Sequence, residues 1–270
     1  IKTMKYALKK IRRMRVYDIA TGKHRVTLND FQTAQFTGSQ NTVYADGADG
    51  AHLAAFDTTK VAGFNGTNGA IDSGYIAMQV GSDEVEVANG TGISLRVELV
   101  TADGQKIVLP HKAQGDEGNE VKFIYAADAN GMPGVSYTQA AEPSDKAFKY
   151  DAETKEITLP TGKFKTGDTV IVDYNPKFTK YKQIDNDANK FSMTGRVIVD
   201  AWFTDLCTEL DVPLQVAMEK GKISGELDLS LGDQAAVQNV AVEALTSACS
   251  GESKNLWRLY TYNEEDITDD

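Results

Sequence analysis

Two-residue alternation dominates the chain. Val85-Glu-Val87 and Leu95-Arg-Val-Glu-Leu99 change character at every step, the period of a strand with one buried face. Further runs follow at Lys106–Leu109, Val121–Ala126, Val135–Thr138, Phe148–Asp151, Glu156–Leu159 and Val170–Tyr174. Turn signals separate them: Asp103-Gly104, Asn130-Gly131, Thr161-Gly162 and Thr166-Gly167-Asp168. Short strands at this spacing predict a small β-sandwich or barrel-like module over residues 83–179.

The flanking parts carry longer strands. Residues 13–28 read as a hairpin turning at Thr21-Gly22, a pair that supplies a positive-φ residue at the turn. Two Asp-Gly pairs in Thr42–Gly50 predict a loop, followed by strands or an extended arm over Ala51–Phe56 and Lys60–Asn65. Ile71–Val80 has a helical spacing, with Asp72-Ser73 as N-cap and Ile76, Ala77 and Val80 facing inward. Later, Phe191, Met193, Gly195, Val197, Val199 and Ala201 share one face of a strand. A turn is expected over Asp205–Glu209, and a hairpin from Val212–Met218 to Lys222–Leu231 around Lys220-Gly221, with Gly225 marking a bulge. Val237–Ala244 and Leu256–Tyr262 complete the strands, and the acidic run Glu264–Asp270 reads as a solvated tail.

The change of texture predicts a mainly β protein in which a discontinuous β-sandwich or barrel domain, 1–82 plus 180–270, surrounds an inserted Ig-like β-sandwich domain, 83–179. Gly81-Ser82 and Asn175-Pro176 are the expected hinges.

Composition narrows the class. The chain has 270 residues, 41% hydrophobic and 25% charged, with mean hydropathy −0.36, a foldable composition rather than a disordered one. No apolar run approaches the roughly 18 residues of a membrane span. The formal net charge of −11 is unevenly placed. The first 25 residues hold nine Lys/Arg against one acid, leaving 19 against 38 for the rest, or −19. This basic segment reads either as a solvated tail or as an arm that docks on the acidic surface of an identical neighbour. Ile1–Arg15 lacks the apolar h-region of a secretory signal. Cys207 and Cys249 alone make no disulfide framework and fit a reducing cytosol.

Candidate chemistry is thin. His24, His52 and His111 are the only histidines, each a conceivable general base and each more simply an exposed loop residue. No Gly-x-Ser-x-Gly fixes a nucleophile, and Cys207 reads as a packed small hydrophobe. Asp46, Asp49 and Asp57, or Asp116, Glu117 and Glu120, could offer oxygens to calcium. Asp185, Asp187 and Asn189 come nearest a calcium-loop spacing. Lys190 then stands where the turn glycine is needed, and Arg196 where the bidentate Glu belongs. Gly63–Gly69 has three glycines without the Lys-Ser/Thr of a phosphate loop. Trp202 and Trp257 sit in apolar strands and read as core. No metal, cofactor or enzymatic activity is therefore expected.

Val16-Tyr-Asp-Ile-Ala-Thr-Gly-Lys23, Asn41-Thr-Val-Tyr-Ala-Asp-Gly47 and His52-Leu-Ala-Ala-Phe-Asp-Thr-Thr-Lys60 stand in an order that resembles virion structural proteins of tailed bacteriophages. Phe191–Arg196 and Lys222–Leu229 are similar in style. Within that class the chain most resembles a tail tube protein. The resemblance implies a β subunit, made in the host cytoplasm and built into the virion tail. Such subunits form stacked hexameric rings with identical neighbours, meet other tail proteins, and pass DNA through the lumen without specific binding. It implies that Tyr44–Asn65 reaches the next ring and that the inserted domain lies outside. Subunit contacts are then expected from Arg12, Arg13 and Arg15 on the basic segment and from Tyr44, Phe56 and Phe64. The alternatives are another virion role such as head decoration, or a β-sandwich binding or adhesion module.

Overall fold

The computed structural model describes residues 5–228, 236–246 and 254–262. Strands make up 54% of the described residues and helix 3%, so the protein is mainly β. The chain divides into two compact units, one from residues 1–84 and 184–270, the other Val85–Gln183.

In chain order, the first unit opens with β1 (Tyr6–Asp18), β2 (His24–Leu28), β3 (Phe31–Asp46), β4 (His52–Asn68) and helix α1 (Ser73–Val80). The second unit holds β5 (Val85–Ala88), β6 (Leu95–Val100), β7 (Lys106–Val108), β8 (Phe123–Ala127), β9 (Pro133–Gln139), β10 (Ala147–Asp151), β11 (Glu156–Thr158), β12 (Thr169–Tyr174) and β13 (Lys180–Gln183). The chain then returns to the first unit with β14 (Thr194–Asp205), β15 (Asp211–Ile223), β16 (Gln238–Ala244) and β17 (Arg258–Thr261).

The first unit is one eight-stranded sheet in the order β2-β1-β14-β15-β16-β4-β3, with β17 also paired to β15. The sheet curls until β3 returns beside β1. The space inside is filled by Met14, Val16, Leu28, Phe64, Tyr75, Val197, Val199, Met218, Ile223 and Val242. Alternation explains most of this core: the inward residues of β14, and of β15 as far as Met218, fall at every second position, and a register shift beyond Met218 brings Ile223 inward. The helix closes one end. Asp72 accepts a hydrogen bond from the Tyr75 amide at 2.9 Å, and Gly81 ends the helix in the left-handed region at φ 73°. Buried Gln238 fixes the cap further, accepting from the Asp72 amide at 3.0 Å and donating to its carbonyl at 3.2 Å. Tyr75 and Met78 anchor the helix in the core, while Ile76 is only half-buried. Burial pushes the Tyr75 hydroxyl above its ordinary pKa.

Several elements differ from the sequence expectation. The loop expected over Thr42–Gly50 is mostly strand. β3 runs to Asp46, and the turn is confined to residues 47–50, where Gly47 N–H donates to Ala51 O at 2.8 Å. The two extended pieces after it are one strand, β4. The hairpin expected around Lys220-Gly221 is instead the uninterrupted strand β15. Gly221 serves close packing, since a Cβ there would lie 2.7 Å from Val242 Cγ1 and 2.9 Å from Val197 Cγ2. The true hairpin joins β14 to β15. β15 ends at Ile223, so Ser224–Asp228 is irregular and Gly225 marks no bulge. Leu229, Leu231, Cys249 and the acidic tail lie outside the described residues. β14 starts only at Thr194, leaving Phe191 80% exposed rather than inward. Trp257 is 45% exposed and Trp202 half-buried, so neither is a core tryptophan.

The second unit has a seven-stranded sheet ordered β6-β12-β8-β9-β10-β11-β7 and a two-stranded sheet β13-β5. Its core is Leu109, Val121, Ile124, Phe148, Ile157, Leu159, Val170, Val172 and Tyr174. Gly104, Gly131, Gly162 and Gly167 all take positive φ at the expected turns. The parallel pairing of β9 with β10 and the strand β13 were not foreseen. Pro176 is bridged to Ala113 and buried, so Asn175-Pro176 closes β12 inside the unit.

Candidate assembly surfaces

From Lys5 onward the basic segment is not a free arm. It is β1, paired with β14 from Tyr6 to Asp18 and sending Ile11, Met14 and Val16 into the core. Bulges double the residues on β1 at Lys9 and at Arg12, which changes the side-chain alternation there. Arg13 and Arg15 then reach across to Asp200 on β14. Arg13 Nε donates to Oδ2 at 2.7 Å. Arg15 Nη2 lies 3.0 Å from Oδ1 and 2.9 Å from Oδ2. Gln215 Nε2 donates to Oδ1 at 2.9 Å. Burial alone raises the Asp200 pKa, but Arg13, Gln215 and Arg15 outweigh it and hold the carboxyl below its ordinary range. These two arginines are thus engaged within their own chain. Arg12 is exposed and unpaired among the described residues. Lys9 pairs with Asp211 at 2.5 Å.

The β3–β4 hairpin holds the other three predicted contact residues and separates them. At its base, Ala34, Phe36, Phe64 and Ala62 face the core, and Thr33, Gln35, Thr37, Asn65 and Thr67 face out. Phe64 is fully buried, its ring 5.6 Å from Phe31 and 5.1 Å from Phe36. It is core, not surface, because it falls on the inward phase of β4. Past Gly38 and Ala62 the pattern reverses. The face that pointed inward now carries Gln40, Thr42, Asp46, Asp57 and His52, beside Tyr44. The opposite face carries Val43 directly across from Phe56, Ala45 across from Ala54, and Val61. Leu53 is the extra residue of a bulge near the tip. Leu53 is 73% exposed, Phe56 58%, Tyr44 51%, Val43 50% and Val61 46%. The outer ladder is held by its own polar face. His52 stacks on Tyr44 at 4.3 Å and 27°, its Nδ1 lies 2.6 Å from Asp46 Oδ1, and Thr42 Oγ1 donates to Asp57 at 2.7 Å.

A second exposed apolar group lies on and beside β17, where Trp257, Leu259, Tyr260 and Tyr262 are each 42–46% exposed. Sequence reading missed this surface, and Leu53 and Val61, by treating apolar strand residues as core. The shift of apolar residues from even positions (Ala34, Phe36) to odd ones (Val43, Ala45) within a single strand is the signal that reveals the reversal.

The candidate chemistry does not converge. His24 Nε2 lies 2.6 Å from Thr27 Oγ1, and all three histidines are exposed. Among the described residues no three His, Cys, Asp or Glu side chains are placed to hold a metal. Asp187 Oδ1 accepts from the Asn189 amide at 2.9 Å, a local polar turn. Gly63 and Gly66 lie inside β4, where a Cβ would lie 2.8 Å from Val242 O and 2.6 Å from Thr33 O. They serve strand packing rather than phosphate. Cys207 is exposed, not packed. Among the described residues no helix is long and apolar enough to cross a membrane.

No curated protein matches the chain. A family model described as the YomU/Tube protein family matches residues 7–259. That match runs from the second residue of β1 into β17 and takes in both units. A mainly β subunit with long open strands and an apolar ribbon suits a structural part of a virion, and on this match the chain belongs to the YomU/Tube protein family as a phage tail tube-like protein.

Proposed function

We propose that the protein is the repeating subunit of a phage tail tube, assembling with identical copies into stacked hexameric rings that form a conduit for DNA. The observation that carries this reading is the reversed outer half of the β3–β4 hairpin. An apolar face of Val43, Phe56 and Val61 is costly to leave in water, and among the described residues its own sheet offers nothing to cover it. A neighbouring copy in the next ring covers it, in a head-to-tail contact that repeats along the tube. Within a ring, β2 and β3 end the strand path, and pairing with neighbours satisfies such edges. Exposed Arg12 is one member of the basic segment available to an acidic neighbour. The strongly acidic body supports a lumen that repels the phosphate backbone, so DNA slides without specific binding. Contacts with other tail proteins belong to the two ends of the stack. The protein acts structurally and not as an enzyme.

The test is negative-stain electron microscopy of the purified chain over a concentration series. Rings or tubes with six-fold symmetry are expected. Monomers alone at high concentration would overturn the reading.

A further inference from the structure

The second unit holds a cavity of its own. On β8 and β12, Ile124 and Val172 pair and point into the core. Phe123, Tyr125 and Asp173 occupy the alternate positions and reach the other face. Residues 114–120 stand beside them in a fixed loop. Gln114 N–H donates to Asn175 O at 2.9 Å and Asn119 N–H to Asp116 O at 2.8 Å. Glu120 accepts from Gln139 Nε2 at 2.6 Å and from the Gly118 amide at 3.0 Å. Between loop and strands lies a cavity of about 420 Å³, lined by Asp116, Asn119, Lys122, Phe123, Tyr125 and Asp173 among others. Small-ligand sites span roughly 300–1,000 Å³.

The lining has a distinct chemistry. Phe123 and Tyr125 place two rings 6.4 Å apart and tilted by 39°, and Phe123 is 42% exposed. The side chains of Asp116, Asn119, Lys122 and Asp173 have no partner among the described residues. Besides the Glu120 carboxylate already held by Gln139 and the Gly118 amide, the site thus offers two unengaged acceptor-only carboxylates, an amide that both donates and accepts, an ammonium donor and two aromatic faces. The carboxylates repel phosphate, and among the described residues no three metal-capable side chains converge. A greasy ligand would leave the charges unanswered. A ligand with a hydroxyl rim and C–H faces fits both halves, because hydroxyls donate to carboxylates in charge-assisted bonds and C–H groups rest on the negative faces of aromatic rings.

We propose that this cavity binds a saccharide, a neutral pyranose lying against Phe123 and Tyr125 with its hydroxyls donating to Asp116 and Asp173. The inference rests on the second unit alone and stands whether or not the protein forms tubes. Saturation-transfer NMR on the full chain, with glucose, galactose, mannose and N-acetylglucosamine, tests for a free sugar. Retention on immobilised dextran, galactan and mannan tests for a polysaccharide. Signal transfer to a sugar, or retention on a polymer, is expected. Phe123→Ala and Asp173→Asn should each weaken it about tenfold or more. Both side chains are exposed, so the unfolding midpoint should stay unchanged. Retention on a polymer without a response to any monosaccharide, lost in both variants, supports an extended glycan as the ligand. No response in either arm, or binding unchanged in both variants, overturns the proposal.

Discussion

The β3–β4 hairpin is one continuous ladder, yet its apolar side chains change faces midway. At the base, Phe36 and Phe64 face each other across the two strands and complete a core. Farther out, Val43 and Phe56 form the same kind of cross-strand pair and cover nothing. Both halves belong to the same antiparallel pairing. What differs for the apolar residues is their phase, and a one-residue change of phase moves a side chain from one face to the other. The bulges at Thr58 and Leu53 adjust the register of β4 against β3 without moving the outer apolar residues back to the inward side. The base serves the fold, and the outer half is free to serve a partner.

Phe64→Ala should break the base. The ring is fully buried against Phe31 and Phe36, and truncating such a phenylalanine costs about 3–5 kcal/mol. Chemical denaturation of the isolated subunit should show that loss directly. A change below 1 kcal/mol would mean that the two halves of the hairpin are equally dispensable to the fold, and the contrast between them would fail.

The basic segment shows the same division between residues engaged inside and residues left outside. Arg13 and Arg15 close on Asp200, while Arg12 stays exposed. Asp200→Asn removes the charge from these hydrogen bonds and should cost about 2 kcal/mol at neutral pH. The Asp200 carboxyl is depressed in the folded state, so the unfolded chain takes up the proton first as pH falls. Its contribution is complete above the ordinary carboxyl range near pH 4 and is lost as pH falls through the lower folded value. Stability measured from pH 6 down to pH 2 should therefore fall less in Asp200→Asn than in the parent chain. Parallel curves would show that the pair contributes nothing specific.

The fold was readable where alternation is strict. Val197, Val199 and Ala201 on β14, and the short strands of the second unit, follow from period two and from glycines that take positive φ. It was unreadable where a glycine has a packing role. Gly221 resembles a turn in sequence, but its missing Cβ makes room for Val197 and Val242, residues brought near only by the tertiary structure. The exposed apolar surface was half legible. Tyr44 and Phe56, expected as contacts from the resemblance alone, are both exposed. Phe64, eight residues on, falls on the inward phase of a strand whose base lies in the core. Arg13 and Arg15 looked like free charge because Asp200 is far away in sequence. The exposed strand β17 could not be told from a core strand by composition alone, since Leu259 and Tyr260 are apolar whichever way the sheet leaves them.

The smallest change in stability should come from the substitution that most sharpens the contrast. Phe56 is 58% exposed and lies opposite Val43 on a face that, among the described residues, no other part of the sheet covers. Phe56→Ser in the isolated subunit should therefore shift the unfolding free energy by no more than about 0.5 kcal/mol, as at ordinary surface positions. The cross-strand contact with Val43 sets a similar limit, since such pairs contribute roughly 0.2–1 kcal/mol. If the outer ribbon is covered by a second copy, the same substitution removes an aromatic anchor from that contact, and such anchors cost about 2 kcal/mol or more when truncated. Repeated at every subunit of a stack, that loss should move the concentration for assembly by at least tenfold. Sedimentation at matched concentrations reads it, with circular dichroism confirming an unchanged fold. A variant that unfolds like Phe64→Ala would place Phe56 in the subunit's own core. A variant that assembles like the parent would deny the outer half its role and leave the reversal of the ribbon without a partner to explain it.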